Sequence, residues 1–149
     1  MKKSLLLILT LIVMGITGCG GNKATNPIAK EMVEGKFFLC EQSQNGPLSI
    51  YVLDNENWIK VVWIRPGSQE ARQLDKFDAK ISDDEVLFGS RDASIGIKND
   101  QIIRGEATGK IDKFNNLTLT VGSKKYYYPN LREATKMEVE EAFAKYKNL

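Results

Sequence analysis

The N-terminus carries a pattern of charge and hydropathy of its own. Lys2 and Lys3 precede residues 5–16, which are apolar apart from Thr10 and Gly15. A helix of that length reaches only about 18 Å, well short of a hydrocarbon core of about 30 Å. The pattern therefore predicts the hydrophobic region of a signal peptide over residues 1–18, and not a transmembrane helix.

From Lys36 to Tyr128 the pattern is that of short strands. Residues 48–53, 58–64 and 117–121 form the clearest runs, either alternating in polarity or rich in β-branched and aromatic side chains. Turn-forming residues separate them, with no stretch of helical period between. This arrangement predicts a mainly β fold, a small antiparallel barrel or sandwich of about 7–9 short strands.

Weaker runs fill the middle of this region, and we expect each to be a separate strand: residues 73–81, 85–88, 94–98, 101–106 and 110–114. Gly89-Ser90 predicts a break, and the glycine-containing segment Arg104–Lys110 predicts a bend or bulge. That segment lacks the spacing of a phosphate-binding loop and precedes strand-like residues.

The C-terminal tail changes to a helical period. Asn130 and Thr135 each stand three residues before a glutamate, so the tail contains two candidate capping boxes. Val139, Ala142 and Phe143 then follow helical spacing. We predict one helix at about 131–147, packed on the outer face of the sheet over one tryptophan.

Residues 20–30 (GGNKATNPIAK) have no period and are rich in small polar residues. They are typical of a flexible tether, and we expect one short turn over residues 31–35. We therefore expect three parts: a signal peptide over 1–18, a tether over 19–35 and a single β-rich domain over 36–149.

Composition narrows the possible functions. Removing Lys2 and Lys3 leaves 19 basic residues of 21, equal in number to the 19 acidic residues, and the chain has no histidine. A balanced charge argues against nucleic-acid binding, which needs an excess of lysine and arginine. The absence of histidine removes the most common general base and transition-metal ligand. We predict a protein that is not an enzyme, without metal or cofactor.

The remaining candidates for chemistry have simpler interpretations. Cys40 lies in an apolar run, FFLC, with no histidine to activate its thiol, and is predicted to be buried and inert. The acidic clusters at 54–57 and 83–85 lack the ligand spacing of a calcium loop and are predicted to be solvated turns.

Aromatic residues are the most informative candidates for a binding surface. Trp58 and Trp63 are five positions apart, so a regular strand places them on opposite faces. Tyr127 is likewise opposed to its neighbours Tyr126 and Tyr128. Because tryptophan and tyrosine are enriched in binding surfaces, we name Trp58, Trp63 and Tyr127 as a possible one.

The apolar N-terminal run ends in Ile16-Thr17-Gly18-Cys19. This resembles the lipobox of bacterial lipoproteins, an aliphatic residue and two small residues before a cysteine. The resemblance implies cleavage between Gly18 and Cys19 and acylation of Cys19, which would anchor the chain in a membrane of the cell envelope. If the cell has two membranes, Gly20 after the cysteine implies the outer membrane, with the domain facing the periplasm.

Residues 36–64 are similar to the membrane-bound lysozyme inhibitors, small lipoproteins with an eight-stranded barrel. The likeness rests on the order of a short strand with Cys40, then LSIYVL, then WIKVVWI. The inhibitory loop of that family, which contains Ser-Gly, is not found, and Gly89-Ser90-Arg91 is at best a distorted echo of it. No second mature cysteine can bridge Cys40. We transfer no functional residue.

These observations give two function hypotheses. The first is an envelope-anchored lipoprotein whose small β domain binds a protein or envelope component. The second is a carrier of a small hydrophobic ligand held inside a lipocalin-like barrel.

Overall fold

The computed structural model describes residues 27–53, 57–65 and 72–147. These residues form nine antiparallel strands and two helices, with 56% in strands and 15% in helices. The predicted mainly β fold is confirmed. The strands are β1 (Phe37–Cys40), β2 (Leu48–Val52), β3 (Trp58–Ile64), β4 (Arg72–Ile81), β5 (Val86–Lys98), β6 (Gln101–Ile111), β7 (Leu117–Val121), β8 (Lys124–Tyr128) and β9 (Arg132–Ala134), and the helices are α1 (Pro27–Glu31) and α2 (Lys136–Lys147).

All nine strands belong to one sheet, curled into a half-barrel. Strands β1 to β8 pair in sequence order as a meander, which needs only short connections between neighbours. The chain then passes from β8 to β9, which pairs with the free side of β1. The first strand of the sheet therefore lies between the second and the last.

The inner face of the curled sheet holds the main hydrophobic core. In β3, Ile59, Val61 and Trp63 are buried and alternate with outward side chains that are only partly buried. The same alternation in β7 buries Leu117 and Leu119. This inner surface is filled by one continuous cluster of apolar side chains from β1 to β8.

Helix α2 covers part of the outer face, as predicted. Val139 and Phe143 pack with Leu39 of β1 and with outward residues of β3, Val62 and Ile64. The prediction that the helix lies over a tryptophan is wrong. Trp63 points into the inner core, and Trp58 is not a member of the cluster beneath the helix.

The helix also begins later than predicted, at Lys136 and not near 131. Residues 132–134 pair with β1 instead, so a strand takes the place of the first helical turn. The second capping box is correct: Thr135 N–H donates to Glu138 Oε2 at 2.7 Å, and Glu138 N–H donates to Thr135 Oγ1 at 3.2 Å. The first box does not form, because Glu133 lies in β9 and pairs with Lys36.

The sequence pattern predicts that the domain begins at Lys36, but the folded part starts before this residue. Residues 27–31 form α1, and Ile28 and Met32 are buried in the main core. Because these two apolar side chains are four residues apart, one face of a helical turn can bury both. Of the predicted tether, residues 19–26 lie outside the described residues.

The middle of the sheet has fewer and longer strands than predicted. Residues 85–88 and 94–98 belong to one strand, β5, and the glycine-containing segment Arg104–Lys110 lies inside β6. Gly89 does not end its strand; the irregularities in β5 are bulges that follow it, between Ser90 and Gly96. Gly109 is required by packing, because a Cβ there would collide with the ring of Phe88.

Candidate functional site

The three aromatic residues of the predicted binding surface do not lie together. Trp63 is 1% exposed and fills the inner core, so it offers no surface to a partner. Trp58 is partly exposed on the outer face, with Lys76 Nζ 4.2 Å from the centre of its ring. Tyr127 is 53% exposed, whereas Tyr128 is buried. The opposed positions expected from strand alternation are therefore found, and only Trp58 and Tyr127 remain candidates.

Trp58 lies at the margin of a broad, open cleft of about 1110 Å³ on the outer face of the sheet. The cleft crosses β4 to β7, the part of the outer face that α2 does not cover. Thr108, Thr118 and Thr120 contribute short side chains to it, and Gly89 contributes none. A surface lined by small residues between longer ones is concave, which explains why a cleft forms here.

Charged side chains surround this cleft. Five are basic: Lys76, Lys80, Arg91, Lys110 and Lys125. Three are acidic: Asp78, Asp92 and Glu106. Lys110 also forms an ion pair of 3.1 Å with Glu85, at the turn between β4 and β5. The cleft therefore offers both signs of charge, with a modest excess of positive charge.

A second cleft, of about 740 Å³, lies beside the edge strand β8. It is lined by the polar loop at 42–45 and by Tyr127 and Pro129, and Asn45 Nδ2 is 3.5 Å from the carbonyl oxygen of Tyr127. Lys125 lines both clefts, so the two are adjacent. Trp58 and Tyr127 thus belong to one continuous outer region.

A polar network is buried on the inner face, around Asp75. The carboxylate accepts a hydrogen bond from Trp63 Nε1 at 3.1 Å and another from the Ser94 N–H at 2.9 Å. Arg104 NH1 lies 3.6 Å from Asp75 Oδ1 and donates to the carbonyl oxygen of Asp92 at 3.0 Å. The hydrogen bonds explain how a carboxylate that is only 3% exposed can be accommodated.

Arg65 is the most unusual polar side chain of the described residues. It follows β3 directly and is 1% exposed, yet all three guanidinium nitrogens lack a hydrogen-bond acceptor. Burial lowers its pKa, the charge of Asp75 acts in the opposite direction, and the charge of Arg104 lowers it again. Arg65 and Arg104 therefore both interact electrostatically with Asp75.

Cys40 is buried, as predicted, and is not in a disulfide. Its Sγ donates to the carbonyl oxygen of Pro129 at 3.0 Å. Burial raises the pKa of the thiol from its ordinary 9.0 to about 11. A thiol with this pKa is protonated at neutral pH, so it is a poor nucleophile.

The predicted solvated turns are found where the structure describes them. Ser82 N–H and Oγ both bond the carbonyl oxygen of Glu85, which closes a tight turn around Asp83 and Asp84. Among residues 27–53, 57–65 and 72–147, no three acidic or cysteine side chains come together as a metal site, and no helix is long and apolar enough to cross a membrane. Gly18, Cys19 and residues 54–56 lie outside these ranges.

Sequence reasoning did not identify Asp75, Arg65 or Arg104. A signal for Asp75 was present, because it stands two residues before Phe77 and four before Ala79, both buried on the inner face. Arg65 directly precedes Pro66-Gly67, a pair that is typical of a turn and gives no sign of a buried side chain. Its burial depends on strand curvature, which the sequence pattern does not reveal.

No known family model, characterised protein or solved structure matches this chain. The resemblances to bacterial lipoproteins over residues 1–19 and to membrane-bound lysozyme inhibitors over residues 36–64 therefore stay predictions. The candidate site rests on the geometry of the described residues alone.

Proposed function

We propose that this chain is a lipid-anchored protein of the cell envelope that binds a partner protein or envelope component without catalysing a reaction. The observation that carries the proposal is the open outer face of β4 to β7, which holds a cleft of about 1110 Å³. Clefts of this breadth with exposed charges favour a large polar partner over a small apolar ligand.

The side chains of the cleft support recognition by charge and by one aromatic ring. Lys76 lies against the ring of Trp58, and this contact holds the lysine at the margin of the cleft. Asp78 and Glu106 add acceptors, so the surface can pair with both signs of charge on a partner. Mixed charge of this kind contributes more to specificity and association rate than to affinity.

The packed interior weighs against the alternative, a carrier of a small hydrophobic ligand. Trp63, Phe77 and Phe88 lie where such a ligand would have to bind, and each is at most 4% exposed. The rings of Phe77 and Phe88 meet edge to face, with their centres 5.2 Å apart. Their packing fills the inner face between β4 and β5 with the protein's own side chains.

Anchoring is tested by replacing Cys19. Cys19→Ala in the full chain is expected to abolish labelling by a radioactive fatty acid and to leave the unprocessed precursor. Cys40→Ala is the matched control, because it removes the other cysteine of the sequence and leaves the lipobox intact. Labelling that survives Cys19→Ala would refute the lipid anchor.

Partner binding is tested by placing a photo-crosslinking residue in the cleft at Thr108, in living cells. The control position is Glu141, which is exposed on α2. We expect a discrete adduct from position 108 and none from 141, and we expect Lys76→Glu combined with Lys125→Glu to remove it. Equal adducts from both positions, or none from 108, would contradict the proposal.

A further inference from the structure

The buried guanidinium of Arg65 has no counterpart among the described residues. Its side chain continues the inward alternation of β3, two positions after Trp63. None of its nitrogens donates a hydrogen bond, although the side chain is 1% exposed. Burying a cation in this way costs several kcal/mol of folding free energy unless a hydrogen-bond acceptor pairs with it.

Asp75 does not supply that acceptor. Its two carboxylate oxygens already accept hydrogen bonds from Trp63 and Ser94, and Arg104 lies 3.6 Å from Oδ1. One negative charge is thus shared between two arginines. Burial lowers the pKa of Arg65, the charge of Asp75 raises it and the charge of Arg104 lowers it, so both charged groups act on the Arg65 guanidinium.

We propose that Arg65 and Arg104 bind an oxyanion, the carboxylate or phosphate group of a small ligand, beside Asp75 at the end of β3. A guanidinium presents a planar set of donors that matches such groups in a bidentate manner. An anion would supply the missing acceptors of Arg65 and balance the second positive charge. The Arg104 side chain, 51% exposed, marks the side from which solvent reaches the site.

This inference is independent of the outer cleft. Neither arginine lines the clefts around Trp58 or Tyr127, and Arg65 lies on the inner side of the sheet. Absence of anion binding at Arg65 would therefore leave partner binding in the cleft untouched. Absence of a partner in the cleft would likewise leave anion binding untouched.

The test measures binding of inorganic phosphate and of acetate to the purified protein by calorimetry, at constant ionic strength set by sodium chloride. We expect saturable binding of at least one of them and a rise in melting temperature when it is added. Preference for phosphate would indicate a phosphorylated ligand, and preference for acetate a carboxylate ligand. Binding of neither would overturn the proposal.

Arg65→Met keeps an unbranched apolar stem in place of the arginine's aliphatic part and removes the charged guanidinium group. It is expected to weaken anion binding at least tenfold while the melting temperature without added phosphate or acetate stays equal or rises, because an uncompensated buried cation is removed. Lys145→Met, at an exposed position of α2 outside both clefts, also removes one positive charge; it is the matched control and should bind as the unmodified chain does.

A purely structural arginine would behave differently. Arg65→Met would then lower the melting temperature without added phosphate or acetate, and this result would overturn the proposal. Should that variant fail to fold, Arg65→Lys keeps the positive charge without the planar donor set. It is expected to fold and to bind the anion at least tenfold more weakly, and unchanged binding would contradict the assignment.

Discussion

The two halves of the sheet differ on their outer face. Strands β1 to β3 are covered there by α2, so Leu39 and Ile64 are packed on a side that a one-layered sheet would leave in water. Strands β4 to β7 present Lys80, Lys110 and threonine side chains outward, and nothing of the described chain lies over them. The polarity of outward residues therefore decides where the helix packs and where a cleft is left open.

Strand β3 takes part in both halves. Its outward residues near the end, Val62 and Ile64, lie under the helix, whereas Trp58 at its start borders the cleft. The boundary between the covered and the open part of the outer face therefore crosses β3, with the end of this strand covered and its start open. We expect substitutions in the covered half to lower the free energy of unfolding more than substitutions on the outer face of the open half.

The largest effect is expected from the helix itself. Phe143 is 2% exposed, and Phe143→Ala should lower the free energy of unfolding by about 3–5 kcal/mol, the usual cost of removing a buried aromatic ring. Met137, on the same helix, is 67% exposed, and Met137→Ala should change it by less than about 0.5 kcal/mol. Urea unfolding followed by circular dichroism measures both, and equal effects would show that the helix is not packed on the sheet.

Alkaline pH should destabilise the domain through buried groups of the inner core. The pKa of Cys40 is raised from 9.0 to about 11 by burial, so the folded state favours the neutral thiol. Its contribution is complete below pH 9 and is lost as pH rises towards 11, on the order of 2–3 kcal/mol at most. Burial also raises the pKa of Tyr128, which adds to the loss above pH 10.

Cys40→Ala provides the control for this pH dependence. Unfolding by urea at pH 8 and at pH 10.5 should show a smaller difference in the variant than in the unmodified chain, because the thiol no longer ionises on unfolding. An identical pH dependence in both proteins would mean that the thiol is not buried in solution.

Two glycines on paired strands test whether the inner face of the open half is more tightly packed than its outer face. Gly109→Ala places a methyl group against the Phe88 ring, which is held by Phe77, and should cost about 1–3 kcal/mol. Gly89→Ala meets Thr108 Cγ2 at 3.6 Å, an ordinary contact, and should be neutral or slightly stabilising. Melting temperatures that rank the two variants in the opposite order would contradict the packing around Phe88.

The smallest effect concerns the start of α2. Thr135→Ala removes the hydroxyl that accepts from Glu138 N–H and should cost about 1 kcal/mol. Thr135→Ser keeps the hydroxyl and should be close to neutral. The same capping contacts lower the pKa of Glu138, so the cap weakens as pH falls through that lowered value. A serine variant as unstable as the alanine variant would show that the cap contributes nothing.

Local patterns in the sequence were sufficient for most elements of the sheet. Residues 58–64 and 117–121 form the predicted strands with unchanged bounds, because alternation and β-branched content both favour a half-buried strand there. The capping box at Thr135 was also recognisable. Such features depend on neighbours within a few positions, which a sequence displays directly.

Features that depend on distant partners could not be predicted. Residues 132–134 resemble a helix start, but pairing with β1 makes them a strand. Gly89 resembles a break, although β4 and β6 on either side hold β5 in an extended form. The burial of Arg65 and the shape of the outer cleft depend on the curl of the whole sheet, and no local pattern encodes it.

The pairing of β1 with β9 has a consequence for the order of folding. Phe38 lies between Ile50 on one side and Glu133 on the other, so one of its neighbours is local and the other is almost the whole domain away. A chain made or translocated from its N-terminus cannot complete this pairing until residue 134 is available, and contacts of this range form slowly. Until then β1 has an open edge, and the surface destined for α2 stays exposed to proteases and chaperones.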